Sequence, residues 1–418
     1  MALSLWGRVY FHDRYAGVLQ QQPGGGCAFT YDPAYVAAGG PAIAHTLPLR
    51  EGAHVHEYGL HPFFDNLVAE GWLRNAQARA LGVNRENRFA LLLAFGRDCA
   101  GAVSVVDPEP PEALRPDPED PESMAALTSR ASLSGGQPKL PVTPAGKGFR
   151  PTGAGAVSTH IAKLPSRQLG DIIALEWLTA RAAAALLPDD THVGMSLDAV
   201  ADIADEALVI ERFDRTPGGA KHHFEEFNQL LGHGSAAKYD GSYEAMGRFI
   251  RQTPGCIPAE ADRLLRRILA CLLLGNTDAH LKNFAMFHTA DGLRLAPVYD
   301  MVASAYYPEF RTLALALTGA MDLDLGRLQP KHVVDLGRAF ELPDGAIRLA
   351  VNDMGERLAA ARDAVNESPV GHATMRDGII QLMEKRWNGV FASVGQMLSK
   401  RRASGGRRKG LPSGGSRR

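Results

Sequence analysis

The stretch LLLGNTDAHLKNFAMF, residues 272–287, places an Asp, a His, a Lys and two Asn between two apolar runs. Upstream of it, apolar residues recur at helical spacing through EADRLLRRILACLLLGN, and the pair Gly275 and Asn276 is a common helix terminator. The sequence therefore predicts a buried helix that ends near Gly275, followed by a loop that holds Asp278. A loop fixed between a packed helix and a strand is a rigid support for a reactive group.

The residues after Asp278 match a pattern that phosphoryl transfer requires. Asn283 follows with the spacing Asp-x-x-x-x-Asn, as in protein kinases, where the Asp orients the attacking hydroxyl and the Asn binds a metal ion. Two apolar runs that flank TADG predict a β-hairpin, and Asp300 in APVYDM follows it. Because a hairpin returns its end beside its start, the three side chains can converge on one metal site. By spacing alone, a turn residue, a strand start and a helix cap explain them equally well.

Three upstream segments supply candidates for holding a nucleotide. SLSGGQPK, residues 132–139, contains a glycine turn whose backbone N–H groups can approach phosphate oxygens, although it lacks the Walker A pattern. Lys163 in STHIAKLP lies in a predicted strand, where a charge needs a partner such as phosphate or the carboxylate of Glu176. An exposed lysine on an edge strand is the alternative. LVIERFDR is a candidate hinge strand, in which backbone groups from Glu211 to Phe213 would bond an adenine edge.

The chain of 418 residues is long enough for two or three domains, and its patterns predict an α+β fold. Alternating strands and the helical stretch FDNLVAEGWLRNAQARALGV indicate a small α+β module over residues 1–106, followed by an acidic, proline-rich linker over 107–125. A mixed β/α region spans 126–255, and the pattern becomes helical from FEEFNQLLG onward, apart from the hairpin. Residues 256–398 form a mainly helical lobe, and the basic tail 399–418 is expected to be disordered.

Composition argues against several classes of protein. The formal net charge of −1 gives no overall attraction to nucleic acid or to a membrane surface. Four scattered cysteines without a CxxC pair argue against a disulfide framework and favour a reducing cytoplasm. The N-terminus lacks the features of a signal peptide, and no apolar run reaches about 18 residues, so no membrane association is expected. HVHEYGLH, with His54, His56, Glu57 and His61, is more typical of a polar loop than of a metal site.

Taken together, these motifs resemble those of one protein family. SLSGGQPK, STHIAKLP, VIERFDR, GNTDAHLKNF and PVYDMVAS, in chain order, are similar to the motifs of the HipA family of serine/threonine kinases, the toxin halves of bacterial toxin–antitoxin pairs. HPFFDNLVAEG and GRDCAGAVSV resemble the N-terminal module of the same family, so the resemblance covers nearly the whole chain. It implies a protein-kinase-like, two-lobed fold with a mixed β/α N-terminal half and a mainly helical C-terminal half.

The resemblance also implies that the protein uses ATP and Mg²⁺. Asp278 matches the catalytic aspartate of the family, and His280 and Lys282 stand in the same catalytic loop. Asn283 and Asp300 match the metal ligands. These roles come from the resemblance and extend the Asp-x-x-x-x-Asn pattern described above.

The nucleotide site follows from the resemblance in the same way. Lys163 matches the lysine that holds the ATP phosphates, and Glu211 and Phe213 match the hinge. The glycine turn contributes the remaining residues, which are Ser132, Ser134, Gly135, Gly136, Gln137 and Lys139. Ser132 matches the serine that such kinases autophosphorylate, but Ser134 is a second hydroxyl in the turn, so either is a candidate. A phosphate of about −1.5 to −2 charges beside a loop meant for ATP phosphates should inhibit the enzyme.

The partners implied by the resemblance are a helix-turn-helix antitoxin (HipB-like), promoter DNA contacted mainly through that antitoxin, and a protein substrate. The substrate would be a component of translation such as an aminoacyl-tRNA synthetase, and growth arrest would follow. Two other functions stay open. One is a small-molecule phosphotransferase, because antibiotic kinases use the same arrangement of residues in this loop. The other is a catalytically inactive corepressor bound to an antitoxin, against which the complete set of Asp, Asn, Asp and Lys argues.

Overall fold

The computed structural model describes residues 5–109, 137–153, 156–166, 168–216 and 218–398. Part of the predicted nucleotide site therefore lies outside the described residues, as do the predicted basic tail and most of the acidic linker. The site residues concerned are Ser132, Ser134, Gly135 and Gly136. None of the helices in the described ranges combines the length and the hydropathy that crossing a bilayer requires.

The N-terminal module is an antiparallel sheet with four helices. Its strands are β1 Trp6–Phe11, β2 Arg14–Gln21, β3 Cys27–Tyr31, β4 Ala53–His56 and β5 Val103–Val106, in the sheet order β4-β3-β2-β1-β5. Its helices are α1 Pro33–Ala37, α2 Pro62–Asp65, α3 Gly71–Leu81 and α4 Arg88–Phe95. The predicted continuous helix from Phe64 to Val83 is wrong, because Gly71 takes a left-handed φ of 53° and separates α2 from α3.

A closed β-barrel follows the module. Its strands are β6 Lys139–Ala145, β7 Gly148–Pro151, β8 His160–Lys163, β9 Met195–Val200 and β10 Ala204–Glu211, in the order β10-β8-β6-β7-β9. The long helix α5, Ile172–Leu186, is inserted between β8 and β9. Strands β7 and β9 were not predicted, since neither has a long alternating apolar pattern. Ala69 and Leu73 of the module belong to the same apolar core as Leu140 and Ala162 of the barrel, so the two units are packed together.

The remaining chain is mainly helical, as predicted. Its helices are α6 Phe227–Leu230, α7 Tyr243–Gln252, α8 Glu260–Leu274, α9 Pro330–Ala339, α10 Asp344–Asn366 and α11 Ala373–Gly389. Helix α8 lies at the centre with most of its residues buried, and it ends at Gly275, whose φ of 81° stops the helix at the predicted position. The large apolar core of this half includes leucines from α8 and residues from α5, α7, α9, α10 and α11.

A small three-stranded sheet interrupts the helical half. It has the order β11-β12-β13, with β11 Phe224–Glu226, β12 Ala285–Thr289 and β13 Gly292–Leu295. Strands β12 and β13 are the predicted hairpin around TADG, which is confirmed. The predicted helical start at Phe224 is wrong, because Phe224–Glu226 pairs with β12 and all three of its residues are buried. Backbone pairing with a strand some 60 positions later has no local signature in the sequence.

Candidate active site

The loop after α8 is fixed by hydrogen bonds on both sides of Asp278. The backbone N–H of Thr277 donates to Oγ of Ser304 at 2.8 Å, and the hydroxyl of Thr277 donates to the carbonyl of Phe310 at 2.8 Å. The phenol of Tyr239 donates to Oδ1 of Asp278 at 3.0 Å. Desolvation at the cleft and the negative charge of Asp300 raise the pKa of the Asp278 carboxyl. The loop therefore presents a carboxylate of fixed orientation and increased basicity.

Asn283 and Asp300 meet as the folded hairpin brings them together. Asn283 ends a short 3₁₀ helix, Leu281–Asn283, and its Nδ2 donates to Oδ2 of Asp300 at 2.5 Å. Its Oδ1 accepts the backbone N–H of His280 at 3.1 Å. Asp300 has a φ of 58°, a left-handed conformation that costs a non-glycine residue about 1–3 kcal/mol. Such strain is typical of residues whose position is set by function.

Lys163 connects Asp300 to the long helix of the barrel half. Its Nζ lies 2.6 Å from Oε1 of Glu176 and 2.5 Å from Oδ1 of Asp300. Glu176 lies on the buried face of α5, as a carboxylate partner of Lys163 requires. Burial would raise the pKa of Asp300, but the charges of Lys163 and Lys139 hold it well below its usual range. Below, Lys163, Glu176, Asp300 and Asn283 are called the cleft cluster.

A second lysine faces the cleft beside Lys163. Lys139 on β6 pairs directly with Lys163 on β8 in the antiparallel register. Burial and the neighbouring charge of Lys163 lower the pKa of Lys139 to about 8. Gln137, just before β6, donates from Nε2 to the carbonyl of Leu164 at 3.1 Å and so ties the end of the predicted glycine turn to the barrel. Two positive charges directly opposite one another on paired strands are unfavourable unless anions neutralise them. In this structure Glu176 and Asp300 contact Lys163.

Glu211 and Phe213, the predicted hinge residues, lie at the end of β10 and line the same cleft. The backbone N–H of Glu211 donates to the carbonyl of Gly194 at 2.9 Å. The ring of Phe213 packs against Phe224 and Tyr299, with centroid distances of 4.8 and 5.2 Å. These contacts with Phe224 and Tyr299 fix the position of the Phe213 ring at the edge of the cleft.

Buried charges that the sequence did not predict surround the hinge. Arg212 bonds Asp98 of the N-terminal module at 3.3 Å and Asp214 at 2.8 Å, and Arg215 bonds the same two carboxylates at 2.7 Å each. All four side chains are almost fully buried. The signal was present in VIERFDR, where alternating charges follow an apolar strand directly, but the partner Asp98 lies more than a hundred residues away.

Lys282 and His280, the predicted catalytic-loop residues, are both buried. Nζ of Lys282 lies 2.5 Å from Oε1 of Glu70 and 3.4 Å from Oε2 of Glu226. Lys238 lies 3.4 Å from the other oxygen of Glu70. Below, Lys282, Glu70, Glu226 and Lys238 are called the junction cluster. Sequence reasoning did not identify Glu70, since a lone acid in LVAEGW gives no local signal.

His280 is neutral at physiological pH. Burial and the charge of Lys238 lower its pKa to about 3. Its ring packs edge-on against Tyr239, with a centroid distance of 5.2 Å. His280 therefore supports the tyrosine that contacts Asp278, and it contributes no positive charge at physiological pH.

These residues line one cleft of about 1520 Å³ between the barrel and the helical half. Lys163, Asp300 and Asn283 of the cleft cluster face it, as do Lys139, the hinge and Asp278, whereas Glu176 is buried behind Lys163. The N-terminal module also contributes to its wall, through Glu70 and Trp72 among others. By contrast, no three of His54, His56, Glu57 and His61 bring their donor atoms together.

A barrel lobe, a helical lobe and a cleft with this set of side chains define the chain as a protein-kinase-like α+β protein. The model of the HipA N-terminal domain matches residues 7–106, and the model of the HipA-like C-terminal domain matches residues 131–362. The C-terminal model alone spans more than half of the chain, and the chain therefore belongs to the HipA family of kinase toxins.

Individual relatives agree with this assignment. The chain is 31% identical over 336 residues to the putative kinase Y4dM of Sinorhizobium fredii, covering 76% of this chain and 80% of that protein. It is 30% identical over 319 residues to the serine/threonine-protein kinase toxin HipA of Shewanella oneidensis, covering 67% of this chain and 71% of that protein.

A solved structure confirms the predicted fold. The structure of Shewanella oneidensis MR-1 HipA with HipB and its operator DNA superposes with a TM-score of 0.73 at 23% identity. The superposition covers 93% of this chain and 99% of that chain. At this identity the match establishes the architecture, which is the predicted two-lobed, protein-kinase-like arrangement.

Proposed function

We propose that the chain is an ATP- and Mg²⁺-dependent serine/threonine protein kinase of the HipA type, the toxin of a toxin–antitoxin pair. The observation that carries the proposal is the continuous chain of contacts from Glu176 through Lys163 and Asp300 to Asn283, in the same cleft as Asp278. A protein that only binds a partner has no need to hold these charges together at the base of a cleft.

The residues of the cleft fit a nucleotide and a divalent cation. Its volume of about 1520 Å³ exceeds that of typical small-molecule pockets, which is about 300–1,000 Å³. Mg²⁺ prefers oxygen ligands, and Asp300 with Asn283 offers a carboxylate and an amide at the same point. If the side-chain amide of Asn283 rotates end for end, its Oδ1 faces the metal position instead of its Nδ2. Lys139 and Lys163 supply the positive surface that phosphates require.

In the proposed reaction, Asp278 accepts a hydrogen bond from the substrate hydroxyl and orients it for attack. The raised pKa of Asp278 suits a group that accepts a proton during transfer, and Tyr239 fixes its carboxylate. Lys163, held in place by Glu176, and Lys139 bind the phosphate oxygens. Asn283 and Asp300 would hold Mg²⁺, which would supply positive charge to neutralise the phosphates.

The remaining parts of the site bind the base and regulate access. Backbone groups from Glu211 to Phe213 bond the adenine edge. The glycine turn that ends at Gln137 and Lys139 covers the phosphates, and Ser132 or Ser134 within it is autophosphorylated. A phosphate there would repel the anionic ligand of the two lysines, so the modified enzyme would be inactive.

The proposed partners follow from the family. The structural relative is in complex with HipB and operator DNA, which supports a helix-turn-helix antitoxin for this chain and contact with promoter DNA mainly through that antitoxin. The proposed substrate is a protein of the translation apparatus, such as an aminoacyl-tRNA synthetase. The proposed location is the cytoplasm, where nucleotide, antitoxin and substrate are all present.

The test compares Asp278→Asn with Asp291→Asn. Asp291 is an exposed aspartate of the β12–β13 turn and provides a control for the loss of one negative charge. With radioactive ATP, we expect labelling of protein by Asp278→Asn to fall by about 10²–10⁴-fold, the usual contribution of a general base. Asp291→Asn should label like the wild type, and both variants should keep the wild-type circular dichroism spectrum.

Three other results of these assays would refute the assignment of Asp278 or identify an alternative function. Undiminished labelling by a folded Asp278→Asn variant would refute the assignment of the catalytic carboxylate. Labelling of sugars or aminoglycosides in place of protein would identify a small-molecule phosphotransferase. A wild-type chain that neither hydrolyses ATP nor transfers its phosphate would be the inactive corepressor.

A further inference from the structure

A group of metal-ligating side chains lies outside the cleft, on the sheet β11-β12-β13. Phe224 pairs with Phe287 in the antiparallel register, so His223 stands opposite His288. Glu225 is two residues after His223, and side chains two apart on a strand share a face. The three side chains therefore project from one face of the sheet, and one donor atom of each lies within 4.8 Å of the other two.

Glu225 is the central member of this group and is only half satisfied. Its Oε2 accepts from Nε2 of His288 at 2.8 Å and from the backbone N–H of His45 at 2.7 Å. Its Oε1 is buried and makes no hydrogen bond within the described part of the chain. The residue is 0% exposed. Leaving a buried acceptor without a partner costs about 1–3 kcal/mol, and more for a charged group, so a cation is the expected partner.

The imidazole of His223 is in the right state to ligate a metal. Its ring centroid is 4.6 Å from that of His288. Its Nε2 is buried and makes no hydrogen bond within the described residues. Its Nδ1 lies 3.4 Å from the backbone N of Ala102, at the long end of hydrogen bonding.

The N-terminal module covers one side of this group and leaves the other accessible. Phe11 and Phe63 of the module pack against the ring of His223, with centroid distances of 4.9 and 6.4 Å. The side chain of His288 is 28% exposed and gives a path from solvent to the ligand atoms. Buried ligands, a low-dielectric cover and an entry path are three of the features that a metal site requires.

We propose that His223, Glu225 and His288 bind one divalent transition-metal ion, for which Zn²⁺ is best suited, with water in the fourth position. Two imidazoles and one carboxylate form a known zinc ligand set, with metal–ligand distances of about 2.0–2.2 Å. Mg²⁺ is disfavoured, because it demands oxygen ligands in octahedral geometry. The ion would join β11 to β12 beneath the N-terminal module and would stabilise that junction. The proposal is independent of the function proposed for the cleft.

The first test measures bound zinc. The full chain is stripped with EDTA, exposed to Zn²⁺, desalted and analysed by plasma mass spectrometry. We expect roughly one zinc per chain for the wild type. His222→Ala, which alters the exposed neighbouring histidine, and Asp300→Asn, which removes the cleft carboxylate, should retain it. Glu225→Gln and His288→Ala should lose it. A wild type that retains no zinc, or a folded His288→Ala variant that retains it fully, would overturn the proposal.

A second measurement on the wild type does not depend on the folding of any variant. Co²⁺ added to the stripped chain should produce visible d–d absorption that Zn²⁺ abolishes, without the near-ultraviolet band of thiolate ligation. Zn²⁺ should also raise the melting temperature of the stripped chain, since a ligand that binds only the folded state stabilises it. The absence of both effects, or a thiolate band, would contradict this ligand set.

Discussion

The cleft cluster and the junction cluster are both built around a buried lysine, but their surroundings differ. Lys163 contacts Asp300, whose side chain is 38% exposed towards the cleft, whereas Lys282 contacts Glu70 and Glu226, which are 14% and 11% exposed. The first cluster can exchange its contacts for those of a ligand. The second also borders the cleft, but its two carboxylates are little exposed and are paired with Lys282 and Lys238, so its charges mainly stabilise the fold.

This difference separates Lys163 from Lys282, although the sequence motifs place both lysines in the predicted active site. Lys282 stands in the loop of Asp278, yet its ammonium group is held by a carboxylate of the N-terminal module. The module is therefore a structural support of the loop that carries Asp278. The neighbours Lys238 and Tyr239 connect the junction cluster to Asp278, because Lys238 contacts Glu70 while Tyr239 donates to Asp278.

The largest expected effect is that of Lys163→Met on activity. We expect phosphate transfer to fall by about 10³-fold, the usual loss when a charged group that stabilises the transition state is removed. The variant leaves the buried Glu176 without its cation, which costs stability. Because burial already raises the pKa of Glu176, this group can take up a proton, and the fold should survive. Lys147→Met, in the exposed β6–β7 turn, is the matched control and should remain active. ATP turnover and circular dichroism check both, and an active Lys163→Met variant would remove the distinction between the clusters.

Lys282→Met should mainly reduce stability. It leaves Glu70 and Glu226 without their closest cation, and removing one partner of a buried ion pair costs about 3–5 kcal/mol. Since Lys238 still contacts Glu70, we expect the low end of that range in urea unfolding. Lys331→Met, in a surface ion pair with Asp335, should change stability by less than about 0.5 kcal/mol. A stable Lys282→Met variant without activity would instead place this lysine in the chemistry.

The pH dependence of ATP binding gives a smaller effect. Because the pKa of Lys139 is lowered to about 8, this lysine is charged below that pH and neutral above it. Affinity for ATP should therefore fall as pH rises through about 8, by roughly tenfold in total, which corresponds to about 1.4 kcal/mol. Lys139→Arg keeps its charge throughout and should show a flat profile. Calorimetric titration at several pH values checks this, and an equally steep profile in Lys139→Arg would exclude Lys139 as the source.

The smallest expected effect is that of Tyr239→Phe, which removes the hydrogen bond from the phenol to Asp278. The hydrogen bond from Tyr239 lowers the pKa of Asp278, so its loss should raise that pKa. The acid limb of kcat/KM should then move to higher pH, while the rate at its optimum falls by no more than about fivefold. Tyr58→Phe, at a phenol 79% exposed in the N-terminal module, should leave the profile unchanged. An unshifted profile in Tyr239→Phe would show that the phenol does not act on Asp278.

The parts of the fold and site that could be predicted are those with local signals. The helical spacing of α8 and the terminator Gly275 located the loop of Asp278, and the TADG turn located the hairpin that precedes Asp300. Because the end of a hairpin lies beside its start, Asp300 was expected to lie beside Asn283. The predicted roles of these residues stay predictions until the site is tested.

The parts that could not be predicted depend on pairing between distant segments. Strand β11 looks helical in isolation and is extended only because β12 pairs with it. Glu70 and Asp98 are ordinary acids in sequence, but each meets buried cations more than a hundred positions away. The same holds for His223 and His288, which become neighbours through strand register alone.

The most direct test of the central claim is a crystal structure of the chain with Mg²⁺ and a non-hydrolysable ATP analogue. We expect one metal ion between the side chains of Asn283 and Asp300, Lys163 in contact with the phosphates, and the terminal phosphate facing Asp278. A nucleotide bound outside the cleft, or phosphates that touch neither Lys163 nor a metal ion held by Asp300, would contradict it.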